Sequence, residues 1–256
     1  MPFTLSHAAA AIPFRRTRLI PSALVAGCLV PDFEYCLPVG PHGAFGHTIP
    51  GAFAFDLPVA LVFLWLFHRY AKKPLWSWLP LNTRRKIRLG PDTLTLLPLS
   101  QGLLVVISIL VGVATHILWD SFTHSGFWPY QHFAFLRHIV TVPILGPRPF
   151  YRLLQHASTI LGLVVIWVWW HFRSRSIPAH PIRDSDLPSA QSRMALFIFM
   201  LVALIAGTCA ATLTSGPRLS DAVVARSIVT AMSAFWFAVI IYGAVRSRQK
   251  TPAHST

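Results

Sequence analysis

Long apolar blocks, separated by short connections that are polar, basic or rich in proline, dominate the chain: residues 51–68, 97–119, 158–172, 195–213 and 227–245. Each comes close to the roughly 17–25 residues that an α-helix needs to cross the hydrocarbon layer. They are continuous blocks, without the one-sided apolar stripe of a soluble surface helix. A sixth block, residues 19–30, stops at Pro31-Asp32, and at about a dozen residues it suits a half-helix or re-entrant segment. The pattern predicts an all-α fold: a polytopic transmembrane helical bundle of five full spans plus one short or re-entrant N-terminal segment. Residues 1–256 are expected to form a single integral membrane domain.

Charge gives the bundle a direction. The connection 69–88 carries Arg69, Lys72, Lys73, Arg84, Arg85, Lys86 and Arg88, and lysine and arginine in short loops favour the cytoplasmic side. Alternation then puts residues 121–157 outside, 173–193 inside, 214–226 outside, and the tail with Arg246, Arg248 and Lys250 inside. If residues 19–30 cross, Arg15, Arg16 and Arg18 are cytoplasmic and the rule holds; if they re-enter, those arginines lie outside and the rule is strained. The charge rule therefore favours crossing. Tryptophans at block ends, Trp65, Trp76, Trp78, Trp119, Trp128, Trp167, Trp169 and Trp170, fit interfacial belts. No internal repeat of the kind found in secondary transporters is visible.

Composition agrees. The chain is 54% hydrophobic and 12% charged, whereas an ordinary soluble domain is about 25% charged. A net charge of +14 could indicate nucleic acid, but the basic residues sit at block ends and no aromatic-interleaved basic face is present, so no nucleic-acid partner is expected. The expected partner is the lipid bilayer. Cys28, Cys36 and Cys209 have no CxxC spacing and read as small packing residues. The N-terminus lacks the parts of a secretory signal and is expected to stay on the mature protein.

Against this apolar background the ionisable residues stand out. His116, Asp120 and His124 are spaced i, i+4, i+8, which puts them within roughly 80° on one helix face. They can serve as ligands for zinc, manganese or iron, or as the polar end of an interfacial helix. Two of the eight acidic residues fall in Pro31-Asp32-Phe33-Glu34, where they can supply a ligand and a general base or merely cap a helix. His47, between Gly46 and Gly51, is a ligand or a residue of a helix-starting turn, and His7 precedes small residues that suit close helix packing. Asp56, inside the first full block, is expected to face other helices. His68 and His171 read as snorkelling interface residues, while His132, His138 and His156 share no clear spacing.

Five segments carry a resemblance: residues 1–9 (MPFTLSHAA), Pro31-Asp32-Phe33-Glu34-Tyr35, Gly46-His47-Thr48-Ile49-Pro50-Gly51, residues 116–124 (HILWDSFTH) and residues 149–155 (PFYRLLQ). In combination they resemble the bacterial membrane protein family named domain of unknown function 4184 over nearly the whole chain. Their order is more loosely similar to the group described as inner-membrane, metal-dependent hydrolases, which tends to have two aspartates where this chain has Asp32 and Glu34. The resemblance implies a multi-pass protein of the bacterial inner membrane. His7, Asp32, His47, His116 and Asp120 are then expected to converge on one divalent metal, with Glu34 and His124 as outer-shell or acid/base groups. The reaction expected is hydrolysis of a lipid-linked or amphiphilic ester or phosphoester. Two other classes compete: an ion, proton or metal transporter with stations at Asp56, His116 and Asp120, and a membrane scaffold whose polar cluster only pins helices. His7 reaches the others only if the N-terminal segment dips into the membrane or residues 19–30 re-enter.

Overall fold

A computed structural model describes residues 4–36, 45–143, 146–182, 190–215 and 221–249. Met1, Pro2 and Phe3 of the N-terminal motif, and Lys250 of the tail, lie outside them. The chain is nearly all-α. Its main helices are α1 (Pro21–Leu29), α2 (Ile49–Trp78), α3 (Leu99–Thr123), α4 (Phe150–Arg175), α5 (Ala190–Ser215) and α6 (Asp221–Gln249). Four of them, α2, α3, α4 and α6, are long and apolar enough to cross a membrane, as a multi-pass membrane protein requires. The fifth expected block, residues 195–213, lies within α5. The loop 121–157 also folds a small antiparallel hairpin of β1 (Ile139–Val142) and β2 (Gly146–Pro149), with Ile139 opposite Pro149 and Val142 opposite Gly146.

Packing divides the chain into two compact units, Met1–Leu64 with Thr95–Arg173 and Trp65–Leu94 with Ser174–Thr256. In the first unit the N-terminal segment is a hairpin. Thr4–Arg16 runs as a 3₁₀-helix interrupted by Pro13, turns, and returns as α1. The Thr4 hydroxyl donates to Asp32 Oδ2 at 2.7 Å, so the hairpin closes on itself. Its turn is tied to the middle of α3, where Ile20 N–H donates to Ser108 Oγ at 2.9 Å. Twelve residues of helix separate Ser108 from Asp120, so the hairpin reaches about 18 Å down α3 before returning.

Within residues 19–30, for which the charge rule favours crossing, Pro21–Leu29 form the return arm of this hairpin. The helix that forms there has nine residues, and at 1.5 Å each they cover less than half of a hydrocarbon layer about 30 Å thick. Arg15, Arg16 and Arg18 lie exposed at or beside the turn. What holds α1 against α3 is a pair of glycines. A Cβ on Gly27 would lie 2.1 Å from Ile109 O, and one on Gly112 would lie 2.3 Å from Leu24 O. Small residues of this kind let membrane helices touch backbone to backbone.

The outer faces are apolar. On α4, Gln155 is buried while Ile160, Leu161, Trp167 and Phe172 are exposed, a distribution that suits lipid as solvent. In the second unit, α5 packs along α6, and Gly243 of α6 sits so close to α2 that a Cβ there would meet Tyr70 O at 1.9 Å. Of the cysteines read as packing residues, Cys28 is buried and Cys209 is exposed.

Candidate metal centre

The centre lies in the first unit, where three segments meet. The 3₁₀ turn Val30–Cys36, entered through Pro31, presents Asp32. The turn before α2 presents His47, and the last turns of α3 present His116 and Asp120. All four side chains are buried, and each offers a ligand atom such that the four atoms lie within 4.8 Å of one another.

The distances fit a shared ion better than they fit hydrogen bonds. His116 Nε2 and His47 Nε2 each lie 3.5 Å from Asp120 Oδ2. The same two nitrogens lie 3.7 and 3.8 Å from Asp32 Oδ1. N–H···O bonds are typically about 2.7–3.2 Å long. Donors about 2.0–2.2 Å from one ion are about 3.3–3.6 Å apart at the corners of a tetrahedron. His116 Nε2 and Asp120 Oδ2 are buried and have no hydrogen-bond partner among the described residues. Left so, each costs about 1–3 kcal/mol.

The other ring nitrogen of His116 explains how the ligand is aimed. Nδ1 lies 2.7 Å from Cys28 O. A carbonyl can only accept, so Nδ1 carries the hydrogen, and in the neutral ring Nε2 keeps its lone pair for the centre. The Gly27–Gly112 contact, one residue before Cys28 and one turn before His116, sets this bond.

His7 arrives from the far strand of the hairpin. Its Nε2 is 3.4 Å from Asp120 Oδ1, and its ring stacks on His116 with centroids 3.9 Å apart. The structure thus brings His7, Asp32, His47, His116 and Asp120 together. Glu34 is differently employed: its Oε2 accepts from Gly46 N–H at 2.9 Å and Phe45 N–H at 3.1 Å, which fastens the turn carrying His47. Space beside Gly46 is tight: a Cβ would lie 3.0 Å from Pro31 O and 3.1 Å from Asp56 Oδ1.

His124 stands at the rim, with its side chain 26% exposed and Nδ1 3.5 Å from Asp120 Oδ2. Its Nδ1 is also 3.2 Å from Asp120 O, and its Nε2 is 3.1 Å from Gln155 Nε2. Gln155 and Thr4 have no role in the sequence reading beyond membership of the resemblance motifs. Only their distance from His124 and Asp32 marks them out. Tyr35 and Phe127 border His47, with ring centroids 6.5 and 6.3 Å away. Burial, reinforced by the nearby Asp32, pushes the Tyr35 hydroxyl up to about 12.

A family model described as "Domain of unknown function (DUF4184)" matches residues 1–244. The chain belongs to the DUF4184 family. No curated protein and no solved structure matches it. Within this DUF4184 chain the buried Asp32–His47–His116–Asp120 cluster has the donor types and spacing to hold a metal ion.

Proposed function

We propose that this DUF4184 protein is a metal-dependent hydrolase of the bacterial inner membrane, acting on a lipid-linked or amphiphilic ester or phosphoester. One observation carries the reading: four buried donors, three of them with unsatisfied atoms, converge at ion-sharing distances in a unit whose helix α4 has an exposed apolar face. Asp32, His47, His116 and Asp120 hold zinc, manganese or iron, and His7 completes the set from the hairpin. When bound, such an ion polarises a scissile carbonyl or phosphoryl oxygen and acidifies a water.

The remaining work falls to the chain itself. His124, fixed by Gln155 and within 3.5 Å of Asp120, carries protons between the centre and its surroundings. Glu34 holds the His47 turn in place through two backbone amides, so we assign it positioning in preference to acid/base work. The amphiphilic substrate class rests on a cavity of about 250 Å³ lined by Ser6, His7, Ala9, Thr115, Trp119 and Leu161. It puts His7 at the edge of an apolar hollow against α3 and α4 that suits a hydrocarbon tail.

Metal analysis of the detergent-purified protein tests the first half. Wild type should carry about one transition metal per chain, and Asp120→Ala and His116→Ala should lose it. Metal-free wild type under non-chelating purification would sink the reading. For the second half, wild type should hydrolyse a long-chain p-nitrophenyl ester or phosphoester in preference to its short-chain analogue, and Asp120→Ala should not. The buried Asp56, both oxygens of which lack a hydrogen-bond partner among the described residues, suits the transport reading. Zinc or proton flux into liposomes, without hydrolysis, would favour that reading instead.

A further inference from the structure

The second unit contains a cavity of about 520 Å³ that the metal centre does not use. Its walls come from the last third of α2, the segment after it, the residues around His180 and the end of α6. Gly243 and Tyr70, which meet backbone to backbone, both line it, so the helices framing it are fixed with respect to each other.

Its charge is uneven. Arg69, Lys73 and Arg246 line it together with one carboxylate, Asp92. Asp92 is already engaged: its Oδ2 pairs with Lys73 Nζ, and Lys72 Nζ lies 3.8 Å from its Oδ1. Arg69 and Arg246 have no carboxylate within ion-pair distance among the described residues. Each is held from the side, Arg69 over the Tyr70 ring at 5.4 Å and Arg246 by an Nη1–H donated to Tyr242 Oη at 3.3 Å. His180 adds a second sign of a missing partner. Its backbone is anchored by N–H donated to Arg85 O at 2.9 Å, yet its buried Nδ1 has no hydrogen-bond partner among the described residues. Two guanidinium groups without a carboxylate partner among the described residues, Arg69 exposed and Arg246 half-buried, an idle imidazole nitrogen and an indole wall from Trp76 make a site for a compact anion with several acceptor oxygens. Basic pockets between membrane helices take phosphate head groups in this way.

The geometry points to a phosphate-binding site in this cavity, with Arg69 and Arg246 clamping the phosphate of an anionic lipid head group or of a soluble phosphate ester. The test is a binding titration of the full-length protein in neutral detergent. Its probes are dioctanoyl phosphatidylglycerol, dioctanoyl phosphatidylcholine and inorganic phosphate. Wild type should bind the phosphatidylglycerol saturably and tighter than the phosphatidylcholine. Arg69→Gln/Arg246→Gln should weaken it roughly tenfold or more. Arg69→Lys/Arg246→Lys keeps the charge and should retain much of the affinity, which separates loss of the site from loss of the fold. Arg15→Gln/Arg16→Gln removes the same charge elsewhere and should change little. Displacement of the lipid by inorganic phosphate at comparable concentrations would assign the site to a soluble phosphate compound, and failure of phosphate to displace it would assign the site to a lipid. Equal binding of the two lipids, no effect of Arg69→Gln/Arg246→Gln, or an equal loss in Arg15→Gln/Arg16→Gln would overturn the proposal.

Discussion

At the scale of single residues, the centre divides into groups that face the ion position and groups that hold them. Glu34 is the sharpest case. Its carboxylate accepts two backbone N–H groups from the turn before His47, and hydrogen bonds to a charged group are worth about 1.5–3 kcal/mol each. Glu34→Gln keeps an acceptor oxygen and should retain the metal with a modest loss of thermal stability. Glu34→Ala should lose both metal and several degrees of melting temperature. If Glu34→Gln instead keeps the metal but is as inactive as Asp120→Ala, the residue is an acid/base group after all. Asp56 makes a second case. It is fully buried beside Gly46, so Asp56→Asn, nearly isosteric, should unfold at a higher temperature in detergent than Asp56→Leu, which overfills the site. Equal melting of the two would show that the position tolerates volume and is not tightly packed.

The helix contact that matters most is α1 on α3. Because Gly27 and Gly112 bring the two backbones together, Cys28 O reaches His116 Nδ1, and a packing contact becomes a ligand orientation. Gly27→Val or Gly112→Val forces the helices apart and should cost roughly 1–3 kcal/mol of stability or more. Each should also lower metal occupancy, although neither residue offers a ligand atom. Gly90→Ala, where a Cβ meets nothing within 4 Å, is the matched control and should keep both. A Gly112→Val protein with full metal content would show that His116 does not depend on this contact. The hairpin works the same way: only a segment that enters and returns can put His7 and Asp32 at one end of α3.

For the whole molecule, the charge pattern predicts that the basic segment 69–88, which includes the end of α2, faces the cytoplasm and the segment 121–157 faces outward, the side of the metal centre. A cysteine placed at Asn82 in a background without native cysteines should resist an impermeant thiol reagent added outside cells, while one at Tyr130 should react. The reverse pattern would invert the orientation and move the centre to the cytoplasmic face. The exposed apolar surface of α4 should in either case require detergent or lipid, and its removal should lead to aggregation.

Much of this is legible in the sequence itself. Lipid as the solvent follows from composition and block length, because nothing else tolerates so few charges over so many apolar residues. His116 and Asp120 could be placed on one face because helical spacing is a local rule. The convergence of His7, Asp32 and His47 on them could not be derived from spacing, since it depends on whether residues 19–30 cross or return. The glycine contact with α3 and the Thr4–Asp32 bond hold a nine-residue helix in a hairpin, and neither contact is visible in a charge pattern. The role of Glu34 was equally out of reach, because a carboxylate looks the same in sequence whether it meets a reacting atom or two backbone amides. Local periodicity determined which residues could share a face; tertiary packing decided which faces met, because backbone approach at Gly27 and Gly112 and the closure of the hairpin are contacts between segments distant in the chain.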